Sequence, residues 1–180
     1  MKSLFIKKSK NHLHEFSVHT KLYNMFPTLI TKPIKMKKKL IYLKMYKNKS
    51  LKHYLKNSTT PLSIPRLISK VKRMIKIIQS KFPLFRHNDL HIGNIIVDDN
   101  KRLRFTDFEL ARLNERTPKI IRSFGITNRY NPKYDLHCFL NSLRSFLLRR
   151  RLSPVCVHKH LPIGYRGKTG KYVRNFRMLF

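Results

Sequence analysis

The sequence predicts an α+β chain, and three observations carry that reading. Short apolar runs and one helical stripe occupy the first 46 residues. Two apolar triplets flank a polar turn at 95–105, which marks a hairpin. Long stretches with apolar residues at helical spacing lie on either side of that hairpin.

Leu4-Phe5-Ile6 reads as a short strand ending at Lys7. Residues 13–26 carry Leu13, Phe16, Leu22, Tyr23 and Phe26, a loose helical stripe that Pro27 breaks. Pro33 punctuates the next turn, and Leu40-Ile41-Tyr42-Leu43 is a second strand. Asn48 and Ser50 mark a break, with Ser50 suited to cap a helix over 51–56. Residues 58–61 read as a loop. The clearest amphipathic helix spans 66–82, where Leu67, Val71, Met74, Ile75 and Ile78 share one face and Lys70, Lys72, Arg73 and Lys76 the other. Pro83 ends it. Strands at 95–97 and 103–105 surround the turn Asp98-Asp99-Asn100-Lys101. Leu136, Leu140, Leu143 and Leu147 define a helix over 134–148, followed by Arg149-Arg150-Arg151, a solvated helix end favoured by the dipole. The tail from Pro162, with Gly164, Gly167 and Gly170, reads as irregular.

The charge balance is extreme: 41 Lys plus Arg against 8 Asp plus Glu, a formal net charge of +33. Such a surface attracts nucleic acid or other polyanions. A Lys-rich background filling solvated faces explains it equally well, and both readings stand. Cys138 and Cys156 form no CxxC pattern, which argues against a disulfide framework or a zinc ribbon. No apolar run approaches the ~18 residues of a membrane span, and residues 1–7 lack a signal-peptide core. The expected location is intracellular and soluble.

Chemistry concentrates at His87-Asn88-Asp89-Leu90-His91-Ile92-Gly93-Asn94 and Thr106-Asp107-Phe108. Phosphoryl transfer needs a carboxylate to orient an attacking hydroxyl and oxygen ligands for Mg²⁺ beside the ATP phosphates. Asp89 suits the first task. Asn94 follows it by five positions, and Asp107 lies just after the second hairpin strand, so the hairpin folds Asn94 and Asp107 toward each other. His87 and His91, four apart, lack the intervening Glu of a zincin helix. Capping and turn roles are the bland alternative for Asp89, Asn94 and Asp107, as an N-cap role is for Asp135.

These motifs resemble the protein-kinase-like superfamily. The form His-x-Asp-Leu-His-x-Gly-Asn is similar to the variant of aminoglycoside phosphotransferases and of atypical serine/threonine kinases of large DNA viruses. Tyr134-Asp135-Leu136-His137 resembles a helix start in those viral kinases. The resemblance implies a reduced two-lobed fold: a truncated N-lobe at 1–46, a hinge at 47–50 and a mainly helical C-lobe at 51–180. It implies Asp89 as catalytic residue and Asn94 and Asp107 as Mg²⁺ ligands. Lys7, paired with Glu15, would hold the α- and β-phosphates of ATP, and Ile96 would form the floor under adenine. His87 and Asp135 would support the catalytic loop. Four of the eight acids, Glu15, Asp89, Asp107 and Asp135, fall on such positions. A viral member would act in the host cytoplasm or the virion.

Departures from the family pattern accompany the match. No glycine precedes Gly93, so a Gly-rich phosphate loop is absent from these residues, as expected of a truncated gene product. The metal motif reads Asp107-Phe108-Glu109, with Glu in place of Gly and a second carboxylate in reach of the metal. Asn88 replaces the Arg that reads a phosphorylated activation loop, and no Ala-Pro-Glu segment follows. The expected reaction transfers the γ-phosphoryl group of ATP to a Ser/Thr hydroxyl of a protein. Two alternatives stand: a catalytically dead remnant serving as a basic binding module for nucleic acid or acidic proteins, and a small-molecule phosphotransferase.

Overall fold

The computed structural model describes residues 4–58, 63–113 and 131–161. Residues 59–61 of the expected loop and the glycine-bearing tail from 162 lie outside them. The described residues fall into two compact units, one drawn from residues 1–59 and 93–111, the other from 60–92 and 112–180. Small antiparallel sheets and several helices make the α+β class plain.

In the first unit, β1 (Leu4–Lys8), β2 (Pro33–Lys37) and β3 (Leu40–Lys44) form a sheet ordered β1-β3-β2. β3 is central, and its Ile41 and Leu43 are buried. Lys7 pairs with Ile41 and Phe5 with Leu43. Strand β2 is the difference from the sequence reading, which took Pro33 for a turn. Proline is tolerated there because it opens an edge strand, where its missing N–H breaks no central ladder. Lys38, at φ 53°, turns the chain from β2 into β3.

Helix α1 spans His12–Met25. Its inward face is Glu15, Val18, His19 and Leu22, while Leu13 is 65% exposed. The apolar stripe of the sequence is therefore rotated off the core. A polar side chain of that face has specific partners: His19 Nε2 lies 2.9 Å from both the carbonyl and the hydroxyl of Thr31.

A hairpin of β4 (Ile95–Val97) and β5 (Leu103–Phe105) completes this unit. The chain at 29–31 continues the ladder beside Phe105, and Lys49–Ser50 does so beside Ile96 and Val97. Ser50 caps α2 (Leu51–Asn57) by accepting the His53 N–H at 3.3 Å.

Asp98 organises the hairpin turn and was legible only as a turn residue. It is 3% exposed. Its carboxylate accepts the N–H groups of Asn100 at 3.0 Å and Arg102 at 2.8 Å, and pairs with Arg104 Nε at 2.9 Å. Arg104 in turn donates to the carbonyls of Pro27 and Ile30. Burial alone would push the Asp98 carboxyl up. The N–H donors and the Arg104 guanidinium outweigh it and hold the group below the ordinary carboxylate range.

In the second unit, α3 (Ile64–Lys81) packs with α4 (Tyr134–Arg149) and α5 (Val155–His158). Leu67, Ile68, Val71, Met74, Ile75 and Ile78 of α3 are buried, as are Phe139, Leu140, Leu143 and Leu147 of α4. Each such side chain contributes about 1.5–3 kcal/mol on burial. The 3.6-residue spacing read from the sequence is the spacing of these faces. Arg86 and Arg112 exchange backbone hydrogen bonds at 3.1 and 2.8 Å. The Arg86 guanidinium, in a residue 1% exposed, lies 4.3 Å from the Tyr134 ring centroid and donates to Asn88 Oδ1 at 2.8 Å.

Removing the Asp98 hub strands three donors, so Asp98→Ala is expected to cost about 2–4 kcal/mol at pH 7. The folded carboxyl is held down, so its contribution is full above the unfolded value and is lost as pH falls through the folded one. Urea unfolding of both proteins should therefore show a gap at pH 7 that narrows toward pH 3; a constant gap would contradict the linkage.

Candidate active site

Lys7 leaves β1 on the same face as its partner Ile41, which points its side chain toward the buried side of the sheet. There its ammonium meets carboxylates from two other elements. Nζ lies 2.9 and 3.0 Å from the two oxygens of Glu15 on α1, and 2.5 Å from Asp107 Oδ1 just past β5. Glu109 Oε2 stands 3.9 Å away. Burial opposes the Lys7 charge, but the Asp107 and Glu15 carboxylates outweigh it and hold its pKa above the ordinary lysine value. Glu15 is fully buried, and that desolvation raises its carboxyl in spite of Lys7.

Asp107 sits at φ 66°, in the left-handed region. Asp tolerates that conformation better than most side chains, and it turns the chain sharply out of the hairpin. Asn94 is 7% exposed, and its carbonyl accepts the Thr106 N–H at 3.1 Å across the hairpin. Lys7, Asn94, Ile96 and Asp107 line one cavity of about 610 Å³, together with apolar Phe5 and Leu43. The structure thus brings Lys7, Glu15, Asn94, Ile96 and Asp107 together within a single unit.

The remaining candidates belong to the second unit. Asp135, in the first turn of α4, accepts the N–H of His87 at 2.7 Å and of Asn88 at 3.0 Å. Asn88 stands at φ 64°, so the chain is bent at the residue before Asp89. Burial raises the Asp135 carboxyl, against the His87 charge and the two N–H donors. His87 is fully buried. The Asp89 side chain is 36% exposed, and its carboxylate lies 3.8 Å from His91 Nε2.

Among the described residues, Glu15, Asp107 and Glu109 are close enough to share a cation, with candidate ligand atoms within 4.8 Å of one another. His87 and His91 are not among them. Hard carboxylate oxygens suit Mg²⁺. Both oxygens of Glu15 are engaged by Lys7, whereas Asp107 opens on the cavity with Asn94. Asp107 and Asn94 could hold a divalent cation at that cavity.

The sequence marks Glu109 as a departure from glycine and as a second carboxylate in reach of a metal; the structure gives it hydrogen-bond partners as well. Its carboxylate accepts the N–H groups of Lys10 at 2.8 Å and Asn11 at 3.0 Å, and the Ser9 hydroxyl at 3.3 Å. The signal available was its place two residues after Asp107 in an acid-poor chain.

Two comparisons bear on this arrangement. A G-type lectin S-receptor-like serine/threonine-protein kinase of Arabidopsis thaliana is 26% identical over 150 residues. That alignment covers 73% of this chain and spans 18% of the relative's length. The family model described as choline/ethanolamine kinase matches residues 4–135. This stretch runs from the strand that carries Lys7, through the hairpin and Asp107, to Asp135 at the start of α4. The match places the chain in the kinase-like superfamily, and within it the chain belongs to the choline/ethanolamine kinase family.

Proposed function

We propose that this chain transfers the γ-phosphoryl group of ATP to a hydroxyl. The observation that carries the reading is Lys7 held between Glu15 and Asp107 on the wall of a cavity that Asn94 also lines. In this reading Lys7, fixed by Glu15, meets the α- and β-phosphates, and Ile96 lies under the adenine. Asp107 and Asn94 would hold Mg²⁺, which neutralises developing charge on the phosphates. Asp89 orients the acceptor hydroxyl and takes its proton as the oxygen bonds to phosphorus and the bond to the ADP oxygen breaks. Asp135 and His87 hold the backbone around Asp89. Residues 1–46 would serve as the reduced N-lobe, 47–50 as the hinge and 51–180 as the C-lobe.

The family favours a small hydroxylated acceptor, an amino alcohol of the choline or ethanolamine type, over a protein. The second reading, a Ser/Thr side chain, is favoured by the similarity to the plant kinase. ATP turnover with Mg²⁺ should be measured with choline, with ethanolamine and with a generic protein acceptor. Phosphate on an amino alcohol supports the first reading, and phosphate only on protein the second. Asp107→Ala should lower turnover on the order of 10²–10³-fold. Wild type and variant equally inactive, with no thermal shift from ATP, would sink the enzyme claim. Salt-sensitive nucleic-acid binding untouched by Asp89→Ala would then favour a basic binding module.

Lys7→Met tests the charge cluster separately from turnover. It leaves the buried Glu15 without the cation that pairs with it, an expected loss of about 3–5 kcal/mol at pH 7. The raised Glu15 carboxyl binds its proton more tightly folded than unfolded, so the variant should gain stability as pH falls through the folded value. Adding Glu15→Gln should recover most of the loss at pH 7. A Lys7→Met protein equally unstable at pH 7 and pH 5 would contradict the pairing.

A further inference from the structure

We infer that Glu109 is a positioning residue: its carboxylate clamps the entrance of α1 and thereby holds Glu15 in register with Lys7. The inference rests on the phosphotransferase reading for its functional consequence, though not for its geometry.

Helix α1 begins without a side-chain cap of its own, since Asn11 at its N-cap makes no such bond. The residues that lead into it are held from the hairpin side. Glu109 Oε1 accepts the Lys10 and Asn11 N–H groups and the Ser9 hydroxyl, three donors converging on one oxygen. Asn11 then carries the constraint forward, because its carbonyl accepts the N–H of Glu15 at 2.9 Å. One residue, Asn11, and one hydrogen bond therefore link the clamp to the residue that pairs with Lys7.

Three further ties fasten the same segment to α1. His14 Nε2 lies 2.7 Å from the Ala111 carbonyl. The Phe108 ring, fully buried, meets His19 edge-on at 5.0 Å. Asp107 shares the Lys7 ammonium with Glu15. Residues 107–111 and α1 thus form a closed ring: Glu109 to Asn11, Asn11 to Glu15, Glu15 to Lys7, Lys7 to Asp107, and back along the chain through Phe108. Glycine at position 109 would open it. The carboxylate thereby holds the Lys7–Glu15 pair from the entrance of α1.

A side chain that clamps through hydrogen bonds differs from one that ligates a metal. Gln keeps an amide oxygen that accepts the same N–H groups, whereas it is a poor substitute for a carboxylate on a divalent cation. The experiment compares Glu109→Ala and Glu109→Gln with wild type in two measurements. Amide hydrogen exchange over residues 9–18 should speed up in Glu109→Ala and stay near wild type in Glu109→Gln. Turnover should fall roughly 10- to 100-fold in Glu109→Ala through misplacement of Lys7, with the Mg²⁺ concentration for half-maximal rate unchanged, and Glu109→Gln should restore it. Equal defects in both variants with a raised Mg²⁺ requirement would make Glu109 a metal ligand and overturn the inference. Unchanged exchange in Glu109→Ala would overturn it as well. A wild type without turnover defeats the phosphotransferase reading alone, because the exchange measurement still decides the clamp.

Discussion

A lysine ammonium shared by a fully buried glutamate and an aspartate is the interaction around which the first unit is arranged. Taking such charges out of water costs several kcal/mol per ion, so the cluster is a poor source of stability. It persists because each member has a partner at hydrogen-bond distance. That condition fixes three elements at once. β1 must present Lys7 on the face of Ile41, α1 must turn Glu15 inward, and β5 must end so that Asp107 reaches back. A one-residue slip of β1 against β3 would send Lys7 to the opposite face and leave Glu15 buried and unpaired. The charge cluster therefore specifies the register of β1 against β3.

The scarcity of acids gives the other carboxylates a common character. Seven of the eight fall among the described residues, and Asp98, Asp99, Glu109 and Asp135 accept backbone N–H groups. Asp98 holds Asn100 and Arg102, Asp99 holds Lys47, Glu109 holds Lys10 and Asn11, and Asp135 holds His87 and Asn88. In a chain of net charge +33, cations in need of partners are everywhere, yet these carboxylates mostly bind amides. A buried N–H without an acceptor costs about as much as a lost hydrogen bond. Asp135 satisfies two such groups, on His87 and Asn88, where the backbone departs from helix and strand. Asn88 and Lys101, both with positive φ, are at or beside residues whose N–H groups are held in this way.

Helices α3 and α4 were legible because their apolar residues recur at the helical period and face a core of the same kind. The β4–β5 hairpin was legible from a polar turn between apolar triplets, and the Ser50 cap from a side-chain type that suits the position. The face of α1 was not, because what it buries is partly charge and imidazole, and a hydrophobic pattern cannot show a glutamate turned inward. Strand β2 was hidden by Pro33 and by lysines at alternate positions, which an exposed edge strand accommodates. The residues around Asn94 and Asp107 were legible as spacing, since the hairpin length fixes how two polar ends meet across it. What spacing could not convey is the conformation at Asp107, whose positive φ decides where its carboxylate points.

The same distinction separates Glu109 from the residues that the motif names. Read as a string, Asp-Phe-Glu differs from a glycine-bearing motif by the loss of backbone freedom and the gain of a charge. In the structure the strained turn sits earlier, at Asp107, where a short polar side chain sustains it, so position 109 has no need of glycine. Its side chain accepts the N–H groups of Lys10 and Asn11 at the mouth of α1. The carboxylate and the N–H groups ahead of α1 match each other, one as acceptor and the others as donors. Such reciprocity between residues about a hundred positions apart follows from the fold, and no local pattern in either segment contains it.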